Sequence, residues 1–496
     1  MSAPGAPPAG ALLAATSLGH AAALLPATSL PSPGVIAAAA VAGIAVVALL
    51  AVLLRASEQM LPLLAVFALP FRLPISSGGR TVNLLIPLYL LVAAGTISLL
   101  VPALLARRRG AQAPSRPQFD WRSPRAWASP HGVQLLLAAA VALYLVQGIY
   151  STDHTRAAEN LAFFYLPFGL LFVMLVRVRW TQELLLRCLL VAVGLAVVFA
   201  GVGFVEYARK SLFLNPKVVA ADQYDNYFRV NSLFFDPNIY GRFLALVMIA
   251  VSTVVLWSTS RRNILIGAGV LAWLLAGLVT SFSQSSIAAL LLGLALLAAW
   301  RWDARTTAFV SLGALALAGA LVLLAPASLH FGLKGAKGST SNATSGRTTL
   351  IEGGLKLFAD RPIEGFGSGS FETEYKRHAS ARTATAENAT SASHTIPVTV
   401  AAEQGVLGLA LYVALLAAAF ALLFAGAGRS PPRMAIAACF AALVLHTWVY
   451  ADFLEDPFTW ALLAIGVALA RQQAQQGAEA HPAAAPGGPA LPASSV

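Results

Sequence analysis

The sequence predicts an all-α membrane protein, a polytopic bundle of about 12–13 transmembrane helices with a large extracytoplasmic loop of short helices. Its 496 residues are 58% apolar and only 11% charged, and the mean hydropathy is +0.73. A soluble chain carries about a quarter charged residues, so this chain lacks the polar surface that a soluble protein needs. Apolar runs of roughly 20 residues can cross a bilayer as helices that satisfy their own backbone groups.

Charged and polar breaks divide the chain into candidate spans, and the second of these is short enough to be re-entrant. The spans are 34–54, 59–71, 83–105, 132–150, 160–176, 184–205, 238–257, 264–281, 284–300, 306–325, 402–425, 434–451 and 457–470. They predict N-terminal helices over 34–205, a first long loop over 206–237, central helices over 238–325, a large loop over 326–401 and C-terminal helices over 402–470.

The two ends of the chain differ from the spans in composition. Residues 1–33 contain no Lys or Arg, so they lack the basic start of a signal peptide, and we expect them to be poorly ordered or interfacial. Residues 471–496 are rich in Ala, Pro and Gln and are expected to form a disordered cytoplasmic tail. Cys188 and Cys439 lie inside apolar runs and are expected to be small core residues.

Basic residues indicate the orientation of the bundle. With these spans, five basic connections fall on one side, which the positive-inside rule makes cytoplasmic. These connections carry Arg107–Arg109 with Arg116, Arg122 and Arg125, then Arg177/Arg179/Arg187, Arg261/Arg262, Arg301/Arg305 and Arg429/Arg433. The two long loops are then extracytoplasmic. They hold many of the cations behind the net charge of +12, which suits either anionic lipid headgroups or a phosphate-bearing substrate.

The first chemical motif runs from Arg229 to Gly241 and leaves the first long loop for a helix. Asp236 or Asn238 can cap this helix, and Pro237 suits its first turn. A helix start offers free backbone N–H groups to an anion, and Arg229 and Arg242 flank it. A purely structural cap is the alternative interpretation.

The second motif, residues 346–371, begins as a helix with Arg347 and ends it at Asp360-Arg361-Pro362. The glycines that follow predict a tight turn that holds the loop against the membrane. They do not form a dinucleotide site, because no strand precedes them. Candidate buried positions of the helix are Leu350, Leu355, Leu357 and Phe358.

The third motif contains His394, followed by Glu403-Gln404-Gly405-Val406-Leu407-Gly408 at the predicted start of the next span. A lone histidine is more often a satisfied polar contact than a catalyst, although it can act as a general base near neutral pH. A further ionisable cluster at the outer end of the last spans is a possible acceptor site. It consists of His446, Asp452, Glu455 and Asp456.

Together, these motifs resemble the O-antigen ligase and polymerase family of bacterial membrane glycosyltransferases. The resemblance covers roughly residues 220–425 and is carried by Arg229, Pro237, Asn238, Arg347, Asp360, Pro362, Gly365, Gly367, Phe371, His394, Glu403, Gly405 and Gly408. Two positions depart from the family pattern. Thr395 stands where the family often has Asn, and Ser283-Gln284-Ser285-Ser286 replaces a break that often carries Arg.

The resemblance implies a multi-pass protein of the bacterial inner membrane whose active site faces the periplasm. It implies transfer of a glycan from a polyprenyl-diphosphate-linked donor to an acceptor hydroxyl on a glycan, lipid or protein. His394, Arg347 and Arg229 would be catalytic, with His394 as the general base and the arginines holding the diphosphate, and inversion at the anomeric carbon is expected. The expected substrate-binding residues are Arg242, Asn238, Asp236, Arg361, Glu403 and Lys356. Apart from the substrates, membrane lipids are the expected partners, and no metal, cofactor or nucleic acid is expected.

Two other functions fit the topology. A transporter of a small solute is the main alternative, although such proteins usually place polar residues and broken helices at mid-membrane in two repeated halves. A cell-wall polymerase of the shape, elongation and division type is more distant, because that group depends on a loop carboxylate where this chain offers Arg and His. A structural scaffold would not explain Arg and His at outer helix starts.

Overall fold

Helices dominate the computed structural model of the chain. The structure describes residues 33–57, 59–77, 80–108, 119–214, 228–303, 305–307, 309, 347–379, 393 and 395–480. The predicted span 306–325 lies almost entirely outside these residues, and His394 lies outside them as well.

The elements follow one another from the N-terminal to the C-terminal side of the described chain. They are α1 (Pro33–Ala56), α2 (Met60–Ala68), β1 (Leu73–Ser77), β2 (Arg80–Leu84), α3 (Ile86–Gly95), α4 (Val101–Arg108), α5 (Pro124–Trp127), α6 (Pro130–Gly148), α7 (His154–Asn160), α8 (Leu166–Leu175), α9 (Gln182–Arg209), α10 (Pro237–Trp257), α11 (Arg261–Thr280), α12 (Gln284–Arg301), α13 (Arg347–Asp360), α14 (Phe371–Ala379), α15 (Ile396–Phe424), α16 (Pro431–Val449) and α17 (Pro457–Ala480). π-helical turns over Thr96–Leu100 and Leu161–Tyr165 join α3 to α4 and α7 to α8.

The predicted class, an all-α polytopic membrane protein, is confirmed. In the described residues, 9 helical segments are long and apolar enough to cross a membrane. They are Ile86–Ala106, Pro130–Gly148, His154–Leu175, Gln182–Arg209, Pro237–Trp257, Arg261–Thr280, Gln284–Arg301, Ile396–Phe424 and Pro431–Val449. Helix α15 begins at Ile396, so the predicted span start at residue 402 falls inside this helix, close to its break at Gly405.

A short β-hairpin is the departure from an all-helical pattern. Strands β1 and β2 pair antiparallel, with Leu73 opposite Leu84 and Ser77 opposite Arg80. The sequence between the strands is Gly78-Gly79, a pair typical of two-residue hairpin turns. The strands are only 5 residues long, and the second runs into the predicted span at 83–105, so hydropathy alone hides the hairpin.

Helix α10 forms the centre of the bundle. In its most apolar window 78% of the residues are buried, against 17% in the neighbouring α11. It packs against α9, α11, α12 and α16, and its side chains Tyr240, Phe243 and Leu244 are buried among them. The helix that carries Asn238 and Arg242 is therefore held on most of its surface by other helices.

Contacts between helix ends define two faces of the bundle. One end, here called the basic face, carries residues 177–182, 257–262, 301–303, 425–433 and 468–476. There Arg301 donates to the carbonyl of Leu256 at 3.2 Å, and Arg433 bonds Gln473. The other end, the loop face, carries residues 149–153, 228–236, 281–286, 361–371 and 450–456. The basic connections that these ranges contain are thus grouped at one end, as the sequence predicts.

Helices α13 and α14 form a small second core on α15. It consists of Leu350, Leu357, Phe366, Phe371, Tyr375 and Ala402. The predicted burial of Leu355 is wrong, because its side chain is 50% exposed. Leu355 follows Gly354, whose face of α13 lies against Phe371 and Val398, and the next position turns away from that contact.

Candidate functional site

The start of α10 holds the first group of predicted residues. Asp236 is the N-cap, and its carboxylate accepts the backbone N–H groups of Asn238 at 2.6 Å and Ile239 at 3.4 Å. The Arg229 guanidinium donates to Asn238 Oδ1 and to the carbonyl of Ser281, both at 3.2 Å. Arg229, Asp236 and Asn238 are therefore brought together at one helix start, as the sequence predicts.

The serine-rich break between α11 and α12 completes this group. Ser283 Oγ donates to Asn238 Oδ1 at 2.9 Å and lies 2.7 Å from Ser286 Oγ. The Ser285 and Ser286 hydroxyls each lie 3.2 Å from His446 Nε2. Where the family often has Arg, this chain has a fully buried hydroxyl and imidazole network that fixes the start of α10 against α12 and α16.

Arg242 differs from Arg229 in its surroundings. It is 2% exposed, forms an ion pair with the fully buried Asp456, and donates to the carbonyl of Ala451 at 3.3 Å. Burial raises the pKa of Asp456, and the Arg242 charge opposes that rise. The Asp456 carboxylate neutralises most of the Arg242 charge that a substrate would meet, so the geometry supports a structural role for Arg242.

A glycine turn after α13 is fixed to the break in α15. Gly365, Gly367 and Gly369 all have positive φ, and Gly405 has φ 65° and ψ −163° inside α15. The buried Glu403 carboxylate accepts the backbone N–H groups of Gly369 at 2.9 Å and Phe371 at 3.1 Å.

Further backbone contacts hold this turn in place. The N–H of Gly367 donates to the carbonyl of Glu403 at 2.8 Å, and the N–H of Val406 donates to the carbonyl of Pro362 at 2.8 Å. Glu403 was predicted to bind substrate, and its carboxylate bonds the backbone of this turn beside the cavity. The predicted tight turn is present, and the break at Gly405 is what allows α15 to receive it.

A cavity of about 70 Å³ lies beside this turn, between α6, α15 and the 450–456 segment. Its polar lining residues are Tyr144, Tyr165, Thr399, Glu403, Gln404, Tyr412 and Glu455. Asn160 donates to Tyr144 Oη at 2.9 Å and to Glu455 Oε1 at 3.0 Å. The 450–456 segment also reaches the α10 start, because Tyr450 donates to Asp236. This segment therefore connects the cavity to the arginine group.

The pKa of the Glu455 carboxyl is raised by its surroundings. Burial raises its pKa from 4.5 to about 8, the negative charges of Asp452 and Glu403 add to the rise, and the positive charges of Arg156 and Arg72 oppose it. The group is then mostly protonated at pH 7, so it can donate a hydrogen bond into the cavity.

We expect Glu455→Gln to flatten the pH dependence of stability. A carboxyl whose pKa is raised in the folded protein stabilises fully below about pH 4.5, and this stability is lost as the pH rises to about 8. Glutamine keeps the hydrogen-bond acceptor for Asn160 and cannot ionise. The apparent unfolding temperature, measured in detergent from pH 5 to 9, should fall less for the variant than for wild type. The exposed Glu352→Gln is the matched control, and an unchanged profile for Glu455→Gln would contradict the assignment.

The remaining predicted residues lie on or beside α13. Arg347 begins this helix, and Lys356 and Arg361 are exposed on or just after it. The Arg361 guanidinium stacks over the Phe366 ring, 4.7 Å from its centroid. His394 lies outside the described residues. The neighbouring Ser393 is buried and bonds the Thr399 hydroxyl at 2.9 Å, which holds Ser393 against α15.

Sequence reasoning missed several members of the site. Asn160, Tyr144 and Arg156 lie in the N-terminal half, where only generic membrane sequence was recognised. A polar signal was present, because Asn160 and Arg156 occur beside an apolar run, and ionisable or amide groups near membrane depth point to function. Ser283, Ser285 and Ser286 were noted only as a departure from the family, although their buried hydroxyls lie beside a histidine and form the core of the network.

Comparison with known protein families gives a match over part of the chain. Residues 269–413 match the family model described as O-Antigen ligase. The match confirms the resemblance over that segment, which contains the serine-rich break, α13, the glycine turn and Glu403. It does not reach Arg229, Asn238 or the 450–456 segment. No curated protein matches the chain. The matched segment and the helical bundle together support a membrane enzyme similar to O-antigen ligases and polymerases.

Proposed function

We propose that the protein is a membrane glycosyltransferase that moves a glycan from a polyprenyl-diphosphate-linked donor to an acceptor hydroxyl at the loop face. The match of residues 269–413 to O-Antigen ligase carries this proposal, because that segment supplies Arg347, His394 and the glycine turn. The loop face would be periplasmic in a bacterial inner membrane, since the basic connections predict that the other end is cytoplasmic.

Arg229 is the first part of the proposed diphosphate site. It is half-buried, and its hydrogen bonds go to a side-chain amide oxygen and a backbone carbonyl, which are neutral. In the described part of the chain, no carboxylate forms an ion pair with it. Its charge is therefore oriented without being neutralised, in contrast to Arg242, and it suits the charge that develops on a leaving diphosphate. Arg347 is proposed as the second cation of this site.

His394 is proposed as the general base. It would take the proton from the acceptor hydroxyl while that oxygen attacks the anomeric carbon in line with the bond to the diphosphate. The carbon–oxygen bond to the lipid diphosphate then breaks, and the bonding pair leaves with the phosphate. The diphosphate needs little protonation, so one base suffices, and a single displacement inverts the anomeric centre. Tyr144 and Glu455 would contact the acceptor through the cavity.

The test is glycan transfer by purified protein in detergent, supplied with a polyprenyl-diphosphate-linked glycan and candidate acceptors. We expect His394→Ala to lower the rate by about 10²–10⁴-fold and Arg347→Ala or Arg229→Ala by about 10²–10³-fold. The control is Arg209→Ala, which removes an exposed cation at the loop-face end of α9. Product stereochemistry reports the inversion.

The outcomes separate the parts of the proposal. If His394→Ala transfers glycan at the wild-type rate, His394 is not the general base. Retention of the anomeric configuration would contradict a mechanism with a single displacement. If the folded wild-type protein transfers glycan to no acceptor, the glycosyltransferase proposal is wrong and the transporter alternative takes precedence. The acceptor that works distinguishes a ligase from a polymerase or a protein glycosyltransferase.

A further inference from the structure

An apolar crevice opens on the basic-face half of the bundle, away from the proposed active site. It lies between α9, α10, α16 and α17 and has a volume of about 460 Å³. Its walls are aliphatic over most of their surface and include Leu185, Leu189, Leu246, Ala250, Ile436 and Leu462. The crevice reaches from Phe243 and Phe458, in the loop-face halves of α10 and α17, to Trp257 and Pro431 at the basic face. Most of its lining residues on α9, α10 and α16 lie in the halves of these helices next to the basic face.

A polar pocket of about 830 Å³ lies at the surface of the same face, between the 176–182 segment and the end of α17. Its charged groups are Arg177, Arg179, Arg471 and Glu479, and Thr181 and Gln475 add neutral polar groups. The lining thus contains three cations and one carboxylate. Arginine binds phosphate oxygens bidentately, so an anionic headgroup fits this wall.

The crevice and the pocket adjoin each other. Trp180 and Gln182 line both of them. The indole N–H of Trp180 donates to the carbonyl of Leu175 at 3.1 Å, so the ring is fixed at the boundary between the two spaces. Tryptophan is typical of the membrane interface, where one part of its ring is apolar and the other polar. The ligand that uses both spaces is an amphiphile with an acyl chain and a negatively charged head.

We propose that the crevice and the adjoining pocket together bind an anionic glycerophospholipid from the basic-face leaflet, with an acyl chain in the crevice and the phosphate beside Arg179 and Arg471. A free phosphate would leave the crevice unused, and a zwitterionic lipid would bring no net charge to the pocket. The site lies at the opposite end of the bundle from Arg229 and the glycine turn. The inferred lipid site therefore depends on the protein lying in a membrane and not on the proposed reaction.

Quenching of Trp180 fluorescence by brominated acyl chains tests the site. The purified protein is placed in nanodiscs of phosphatidylcholine that contain a rising fraction of brominated phosphatidylglycerol or, separately, brominated phosphatidylcholine. The sequence contains nine Trp, so the Trp180 signal is the difference between wild type and Trp180→Phe. Trp273→Phe gives the matched difference for an exposed ring on α11. We expect Trp180 to be half-quenched at a several-fold lower fraction of brominated phosphatidylglycerol than of brominated phosphatidylcholine. Trp273 should show no such preference.

Charge variants separate a headgroup site from annular lipid. Arg179→Gln and Arg471→Gln should each weaken the anionic preference by about fivefold, because one arginine near a charged surface contributes about that factor. Arg262→Gln removes an exposed cation of the same face outside the pocket and should leave the preference unchanged. Equal half-quenching by the two lipids, or a preference that survives the double Arg179→Gln/Arg471→Gln variant, would overturn the proposal. Size-exclusion profiles of all variants verify that they remain folded.

Discussion

Replacement of Asp456 with alanine is expected to destabilise the helical bundle by about 3–5 kcal/mol, because it leaves the Arg242 guanidinium buried without its counter-charge. The two side chains are 2% and 0% exposed, so bulk solvent does not reach the pair. Asp456 also accepts the backbone N–H of Phe458 at 2.8 Å at the start of α17. The substitution therefore removes an ion pair and a helix cap that connect α10 to α17.

The apparent unfolding temperature in detergent measures this effect. Lys376→Ala is the control, since it breaks an exposed pair with Glu372 that contributes at most about 0.5 kcal/mol. A double Arg242→Met/Asp456→Leu variant should recover much of the lost stability, because replacing both buried charges with apolar groups removes the unpaired one. An Asp456→Ala protein that unfolds at the wild-type temperature would show that Arg242 is not held by this pair.

This ion pair shows where prediction from the sequence stops. Arg229 and Arg242 flank the same helix start, and both were predicted to meet substrate. What distinguishes them is Asp456, which lies more than 200 residues further along the chain and reaches Arg242 only through the packing of α10 against the 450–456 segment. Composition gives the charges, but their neutralisation depends on long-range contacts.

Features that depend on local chemistry were predicted well. The Asp236 cap, the end of α13 at Asp360 and the tight turn at the glycines each follow from residues within one helical turn. The β-hairpin was missed because apolar content, and not its Gly-Gly signal, was used to place spans. Leu355 was misplaced because the periodicity of α13 fixes a stripe without fixing which edge of that stripe meets α15.

Glu403 illustrates a second limit, that a motif gives a position without giving a role. Its place before Gly405 and Gly408 was recognised, and a substrate contact was inferred from the resemblance. In the structure, its carboxylate oxygens accept hydrogen bonds from the backbone N–H groups of Gly369 and Phe371, which lie 34 and 32 residues earlier in the chain. These two bonds position the turn that leads from α13 into α14, and a substrate contact of Glu403 stays a prediction.

The glycine turn gives the second large expected effect. Gly367→Ala should destabilise the contact between the turn and the bundle by roughly 2–4 kcal/mol, from the positive φ and the steric overlap together. Gly367 has φ +93°, and an added Cβ would lie 2.3 Å from Ser151 Cα, a backbone atom. The turn cannot move away easily, because the Gly367 N–H bonds the Glu403 carbonyl on one side and Ser151 Oγ bonds the Ser368 carbonyl at 2.8 Å on the other.

Hydrogen exchange of the backbone amides distinguishes a released turn from a generally weakened protein. In Gly367→Ala, the amides of Gly369 and Phe371 should lose their protection, because their acceptor is Glu403, while those of α10 stay protected at the centre of the bundle. Gly194→Ala is the control, since no atom lies within 4 Å of the added Cβ there. If the turn positions Arg347 and His394 for transfer, glycan transfer should fall in Gly367→Ala in step with this loss of protection. Unchanged protection at Gly369 would mean that the turn accommodates a side chain, whereas lost protection with full transfer would separate the turn from the reaction.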